Sequence, residues 1–175
     1  MAFSWSNYKG LDVFIELAKR LPENYRIVMV GTNDAVEKKL PENVVAIRKT
    51  NSQAELAEIY TTADILLNPT REDNFPTVNI ESLACGTPVL TFATNGSPEI
   101  IDDSCGQVVA YGEIDAMEHA IYQMVGAYSV DDCVKRAKRY ERADRYEEYV
   151  ELYEGKDCKI YDPWSGLWMG QEEGH

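Results

Sequence analysis

The stretch that organises this chain reads Pro69-Thr70-Arg71-Glu72-Asp73-Asn74-Phe75-Pro76-Thr77-Val78-Asn79-Ile80-Glu81-Ser82-Leu83-Ala84-Cys85-Gly86-Thr87-Pro88-Val89. It is typical of a strand end, a polar loop, a short helix that stops at a glycine, and the start of the next strand. Pro76 fits the first helical position, where a missing N–H costs nothing. The backbone N–H groups of Thr77, Val78 and Asn79 would then be first-turn donors that point ahead of the helix. Such a helix end favours an anion, and a phosphate above all.

Two carboxylates lie on either side of this helix start. Asp73 belongs to the loop, and Glu81 lies on the same helix face as Thr77. Because helical side chains lean toward the N-terminus, the Glu81 carboxylate reaches back toward the crevice ahead of the helix. A carboxylate only accepts hydrogen bonds and can hold two adjacent hydroxyls. The stretch therefore predicts a site for a diphosphate with a ribose behind it and a sugar in front; the alternative is a solvated acidic loop that caps a helix.

Composition restricts the classes of protein that fit. The chain has 175 residues, of which 45% are hydrophobic and 27% charged, and this balance predicts one globular domain with an ordinary core. The net charge of −13 argues against nucleic acid or anionic lipid as a partner. Any anionic ligand has to be held by a few local cations and by backbone dipoles.

The cysteines point to structural thiols rather than to a metal centre. Cys85, Cys105, Cys133 and Cys158 form no CxxC or Cys/His cluster, and the chain has 2 histidines, so we expect no metal site. Reduced thiols fit a cytoplasmic protein. We also expect neither a signal peptide nor a membrane-spanning segment.

Short apolar runs alternate with amphipathic segments along the chain. Strands are predicted at residues 26–31, 44–47, 65–67, 89–92 and 108–110, and helices at 11–21, 52–63, 114–126 and 130–154. This alternation predicts a doubly wound, Rossmann-like α/β fold, a parallel sheet with helices on both faces. Ligands of such sheets bind at the carboxyl ends of the strands, where Gly31, Arg48 and the loop before Pro76 fall.

Together these residues resemble the C-terminal, donor-binding half of family 4 glycosyltransferases, which have GT-B architecture. The resemblance runs from about Ser4 to Glu154 and is most specific between Asp64 and Val89, where an acid-x7-acid motif is followed by Ala-Cys-Gly-Thr-Pro-Val. It implies transfer of a sugar from a nucleotide diphosphate sugar to an acceptor hydroxyl, with retention and without a metal or other cofactor.

The resemblance assigns roles residue by residue. Glu81 matches the acid that holds the ribose hydroxyls, and Asp73 matches the acid that contacts the donor sugar, so we predict both as catalytic. Lys9 matches the diphosphate-binding lysine, and Arg48 more loosely flanks the nucleobase. The other predicted donor-binding residues are Gly31, Asn74, Phe75, Pro76, Thr77 and Val78. Without the resemblance, Lys9 also fits a surface lysine that opens a helix, and Arg48 a solvated residue at a strand end.

The chain departs from the family pattern at three places. The first acid is Asp73, where the family generally has glutamate, and Asn74 replaces a glycine. The family's arginine ahead of the lysine would fall near Ser4, where there is none, and Arg71 is not an obvious substitute for it.

The expected organisation is a donor-binding domain over residues 1–154, with its first strand truncated, and a tail of unassigned role over 155–175. A GT-B enzyme needs an N-terminal acceptor domain, so the chain should be inactive alone. Four tyrosines with Val150 predict a partner-facing stripe that would promote self-association; they are Tyr140, Tyr146, Tyr149 and Tyr153. Two alternatives stay open: a non-catalytic nucleotide-sugar binding module, and half of a GT-B-like sugar-nucleotide epimerase.

Overall fold

A computed structural model describes residues 5–141, 146, 147, 150, 160–162 and 167–169. The chain divides into two compact units, Met1–Lys138 and Arg139–His175. The assignment of separate roles to residues 1–154 and 155–175 stays a prediction.

The first unit alternates strands with helices, as the apolar runs predicted. Its described strands are β1 (Ile27–Val30), β2 (Val44–Ile47), β3 (Leu66–Asn68), β4 (Val89–Phe92) and β5 (Gly106–Val109). A 3-10 turn at Asn7–Lys9 precedes the helices α1 (Leu11–Arg20), α2 (Asp34–Glu37), α3 (Gln53–Thr62), α4 (Thr77–Ala84), α5 (Ser97–Ile100), α6 (Ile114–Met124) and α7 (Val130–Lys138).

The strands of this unit pair in parallel. β1 pairs with β2 in one ladder, and β3, β4 and β5 form a second ladder in that order. All four residues of β4, the middle strand of its ladder, are buried, which fits its mostly apolar sequence; its one polar residue, Thr91, donates through Oγ1 to the carbonyl oxygen of Asn68 over 2.9 Å. The predicted α/β class with parallel strands and flanking helices is confirmed, although the described strands form two ladders rather than one continuous sheet.

The core of the first unit lies between the strands and two helices. Its buried side chains include Leu11, Val13, Phe14 and Leu17 of α1, Met117, Ile121 and Met124 of α6, and Met29, Leu90 and Phe92 of the strands. The α1 residues recur at helical spacing, so one face of that helix is apolar as predicted.

The prediction of a helix over residues 130–154 is confirmed in part: Tyr146, Glu147 and Val150 are helical, but α7 itself ends at Lys138. The buried stripe of α7 consists of Cys133 and Ala137, and a turn follows at residues 139–140.

No helix in the described part of the chain combines the length and the apolar character needed to cross a membrane.

The second unit contains an antiparallel pair of strands that the sequence pattern did not predict. These strands are β6 (Ile160–Asp162) and β7 (Leu167–Met169). Tyr146 is 68% exposed, whereas Tyr149 and Tyr153 lie outside the described residues. The partner-facing tyrosine stripe and the self-association therefore stay predictions.

Candidate functional site

The segment from Trp5 to Gly10 connects the carboxyl ends of two strands. The indole Nε1 of Trp5 donates to the carbonyl oxygen of Val30, the last residue of β1, over 2.8 Å. The backbone N–H of Arg71 donates to the carbonyl oxygen of Tyr8 over 2.8 Å. Because Arg71 belongs to the loop after β3, this segment carries Lys9 to the edge where ligands of parallel sheets bind.

Gly10 fixes this segment against the loop after β3. It adopts φ +76°, and a Cβ at this position would collide with the carbonyl oxygen of Pro69 and lie 2.7 Å from the Pro69 Cγ. Only glycine combines this left-handed conformation with so close an approach of two backbones. The neighbouring Lys9 is thereby held at a defined place beside the loop.

Lys9 and Asp73, two of the predicted site residues, meet in an ion pair. The Lys9 Nζ lies 2.7 Å from the Asp73 Oδ2, although the residues are 64 positions apart in the chain. The Lys9 side chain is 43% exposed and the Asp73 side chain 23%, so both groups remain within reach of a ligand. The structure therefore brings together the residues predicted for the diphosphate and for the donor sugar.

Arg71 is engaged elsewhere, which the sequence pattern did not reveal. Its guanidinium donates to both carboxylate oxygens of Asp12 over 2.7 and 2.6 Å, and also to the carbonyl oxygen of Asn7. The hydrogen bond from Arg71 holds the pKa of Asp12 below its usual value. Arg71 thus ties the loop to the first turn of α1, and it does not replace the missing second cation in this arrangement.

Helix α4 starts one residue later than predicted. Pro76 is the N-cap rather than the first helical residue, because its ψ of 103° is extended, and helical geometry begins at Thr77. Proline has no side-chain acceptor, so the N-cap side chain makes no hydrogen bond to the first turn. The N–H of Asn79, predicted as a donor toward the ligand, instead donates to the carbonyl oxygen of Pro76 over 3.1 Å. The amides of Thr77 and Val78 remain as candidate donors.

The start of α4 is tied to the end of β3 by two amide side chains. The Asn68 Nδ2, at the last residue of β3, donates to the Asn79 Oδ1 over 2.8 Å, and Asn79 is fully buried. Because this hydrogen bond is shielded from solvent, it holds the start of α4 firmly against the end of β3. It places the first turn of α4 at the same edge as Lys9.

The loop after β4 packs on the predicted donor loop. A Cβ on Gly96 would collide with the carbonyl oxygen of Asn74 and lie 3.1 Å from the Asn74 carbonyl carbon. The absence of a side chain at Gly96 therefore lets the backbones of the two loops touch. The contact fixes the backbone of Asn74 against the loop after β4.

Glu81 is exposed and has a partner on α3. The Tyr60 hydroxyl donates to the Glu81 Oε2 over 3.3 Å, and the Tyr60 carbonyl oxygen accepts from the Thr87 Oγ1 over 2.6 Å. Burial and the nearby Glu81 charge raise the pKa of Tyr60, so its hydroxyl stays a donor across the physiological range. One carboxylate oxygen of Glu81 is left to face other hydroxyls. No local spacing links residues 60 and 81, so sequence reasoning missed this contact.

Gly31 and Arg48 lie at the carboxyl ends of β1 and β2. Gly31 adopts φ +82°, and its N–H donates to the carbonyl oxygen of Ile47 over 2.8 Å. Arg48 donates to Glu37 over 2.9 and 2.7 Å and also to Asp34, both on the short helix α2. The guanidinium is thus oriented but 61% exposed. Its predicted position beside a nucleobase stays a prediction.

A surface cavity of about 510 Å³ lies elsewhere. Its lining includes Arg26 and Asn43, which directly precede β1 and β2, so it is at the amino ends of these strands. Ligands of parallel sheets bind at the opposite ends. We therefore place the candidate site by its residues and not by this cavity.

The fold and the site together define a class of protein. A cation, acids and first-turn helix amides at the carboxyl ends of parallel strands are typical of sites for phosphorylated ligands. The chain belongs to the glycosyl transferases group 1 family, whose model matches residues 2–126. The predicted family is thereby confirmed.

Individual relatives agree with this assignment. A D-inositol 3-phosphate glycosyltransferase of Xylanimonas cellulosilytica is 28% identical over 135 residues, which are 71% of this chain and 32% of the relative. The chain therefore spans about a third of that relative's length.

Solved structures show the same fold. The apo lipopolysaccharide outer core galactosyltransferase WaaB has a TM-score of 0.77 at 14% identity, with 88% of this chain and 48% of that chain covered. Anabaena HepE in complex with UDP and glucose has a TM-score of 0.70 at 16% identity, with 86% and 46% covered. At these identities the likeness concerns the fold alone.

Proposed function

We propose that this chain is the donor-binding domain of a glycosyltransferase that moves a sugar from a nucleoside diphosphate sugar to an acceptor hydroxyl with retention. The observation that carries the proposal is the meeting of Lys9 and Asp73 at the carboxyl edge of the strands, in a member of the group 1 family. Anabaena HepE has been solved with UDP and with UDP-glucose, which supports a uridine nucleotide as the first donor to try.

In the proposed mechanism the protein stabilises charge as the diphosphate leaves. Lys9 and the amides of Thr77 and Val78 meet the negative charge that develops on the phosphate oxygens. Asp73 faces the anomeric carbon, where it orients the sugar and stabilises positive charge. The acceptor hydroxyl gives its proton to the departing phosphate. No resident metal or other cofactor is required in this proposal.

The nucleoside is held by residues at the two sides of the site. In the proposal Glu81, oriented by the Tyr60 hydroxyl, accepts from the ribose hydroxyls. Arg48, oriented by Glu37, flanks the base with the planar face of its guanidinium.

Transfer needs an acceptor held against the donor. The chain covers 46–48% of the solved structures WaaB and HepE, which supports a separate acceptor-binding domain as the partner of this one. In the proposal this chain alone binds donor but does not transfer sugar.

The described cysteines, Cys85, Cys105 and Cys133, are free thiols, which supports a cytoplasmic location.

Isothermal titration with UDP, GDP, ADP and the matching nucleosides tests the proposed function. We expect one nucleoside diphosphate to bind at least about tenfold more tightly than its nucleoside, because the phosphates add charge-assisted hydrogen bonds. Absence of saturable binding for all three diphosphates by the folded chain would contradict the proposal.

Lys9→Met is expected to weaken UDP binding and to flatten its dependence on salt concentration, because a partly exposed point charge is screened by ions. Uridine binding should change little. Lys19→Met, an exposed lysine on the last turn of α1, is the matched control and should leave both affinities unchanged. If uridine affinity fell as much as UDP affinity, Lys9 would have a structural role instead.

A further inference from the structure

The two central groups of the proposed site are bonded to each other. The Lys9 ammonium, assigned to the diphosphate, and the Asp73 carboxylate, assigned to the sugar, are 2.7 Å apart. We propose that the donor's diphosphate displaces Asp73 from Lys9, and that the released carboxylate then faces the sugar. This inference rests on the proposed function. Asp73 thus competes with the phosphates until the donor arrives and becomes available only when the donor is bound.

The backbone on both sides of the ion pair is anchored. Lys9 is followed by Gly10, which is pressed against Pro69. Asp73 lies between Arg71, which is bonded to Asp12, and Asn74, which is in contact with Gly96. Release of Asp73 therefore requires rotation of its side chain rather than opening of the loop.

The balance of charge favours displacement by a diphosphate. A partly exposed ion pair contributes little in water, because solvent screens it and two side chains must be ordered. A diphosphate carries more negative charge than a carboxylate, so the ammonium attracts it more strongly. Asp73 left beside the phosphates repels them, whereas Asp73 turned to a sugar has hydroxyls to accept from. The pair should therefore weaken binding of the bare diphosphate relative to the sugar nucleotide and so assist product release.

Asp73→Asn is expected to bind UDP about threefold to tenfold more tightly than the wild-type chain in isothermal titration, because the competitor and its negative charge are both removed. Uridine affinity should not change. Glu72→Gln removes the same charge from the adjacent, exposed residue and is the matched control, with an expected change below about twofold.

A double-mutant cycle separates the ion pair from general repulsion. The gain from Asp73→Asn should largely disappear in a Lys9→Met background, because no cation is left to be released. Two results would overturn the inference while the proposed function stands. One is an equal gain in UDP affinity in both backgrounds, and the other is a wild type that binds UDP with no gain in affinity from Asp73→Asn. Failure of the wild type to bind any nucleoside diphosphate would instead count against the proposed function. Circular dichroism checks folding, and Asp73→Ser provides the same comparison if Asp73→Asn does not fold.

Discussion

Gly10→Ala is expected to lower the free energy of unfolding of the first unit by about 2–5 kcal/mol. A non-glycine residue in the left-handed conformation costs about 1–2 kcal/mol, and Gly10 has φ +76°. The added Cβ would also collide with the Pro69 carbonyl oxygen, and forced overpacking typically costs about 1–3 kcal/mol more. Both parts of the contact are backbone or ring atoms, so neither relaxes by a simple rotamer change.

Gly112→Ala is the matched control for this change. Gly112 has φ +81°, but a Cβ there would meet no atom within 4 Å, so only the conformational cost of about 1–2 kcal/mol is expected. Urea denaturation of both variants measures the difference. Equal losses for the two substitutions would show that the approach of Gly10 to Pro69 contributes nothing to stability.

Glu81→Ala is expected to weaken UDP binding by about 1.5–3 kcal/mol, the range for hydrogen bonds to a charged group, which corresponds to about tenfold to 150-fold in affinity. The reason is the proposed bond from the ribose hydroxyls to a carboxylate that the Tyr60 hydroxyl already orients. Isothermal titration of UDP against the wild type and the variant measures this loss.

Two further variants show whether the effect belongs to the carboxylate. Tyr60→Phe removes only the orienting hydroxyl, so its loss should be smaller, about tenfold at most. Glu58→Ala removes an exposed carboxylate from the same neighbouring helix, α3, and should leave the affinity unchanged. Equal UDP affinity for the wild type and for a folded Glu81→Ala variant would rule out the ribose assignment.

Much of the fold could be predicted because it follows from local rules. The strands Val44–Ile47 and Val89–Phe92 were predicted with the bounds that the structure has, since an apolar run between polar segments is a signal within the strand itself. The N-cap of α3 is also a local feature, because the Ser52 side chain accepts from the N–H of Glu55, three residues further along, over 3.1 Å. The second unit's β6 and β7 were missed, because neither run of three residues has a pattern of its own.

The site was predicted only as a set of separate residues. The amino-acid sequence by itself determined the alternation of strands and helices, the family, and the identity of Lys9, Asp73 and Glu81 as candidates, because these depend on spacing and residue type. It did not determine that Lys9 and Asp73 are paired or that Tyr60 bonds to Glu81.

Those contacts join residues that are distant in the chain, and only packing decides them. The close approach of Gly10 to Pro69 brings the start of α1 against the end of β3, and the ion pair of Lys9 with Asp73 follows from it. Arg71 shows the same dependence on packing. Its charge alone would allow it to bind a phosphate, but in the folded chain its guanidinium is bonded to Asp12 on α1. A charge has no partner until the backbone is folded, so the tertiary structure decides which cation remains available for a ligand.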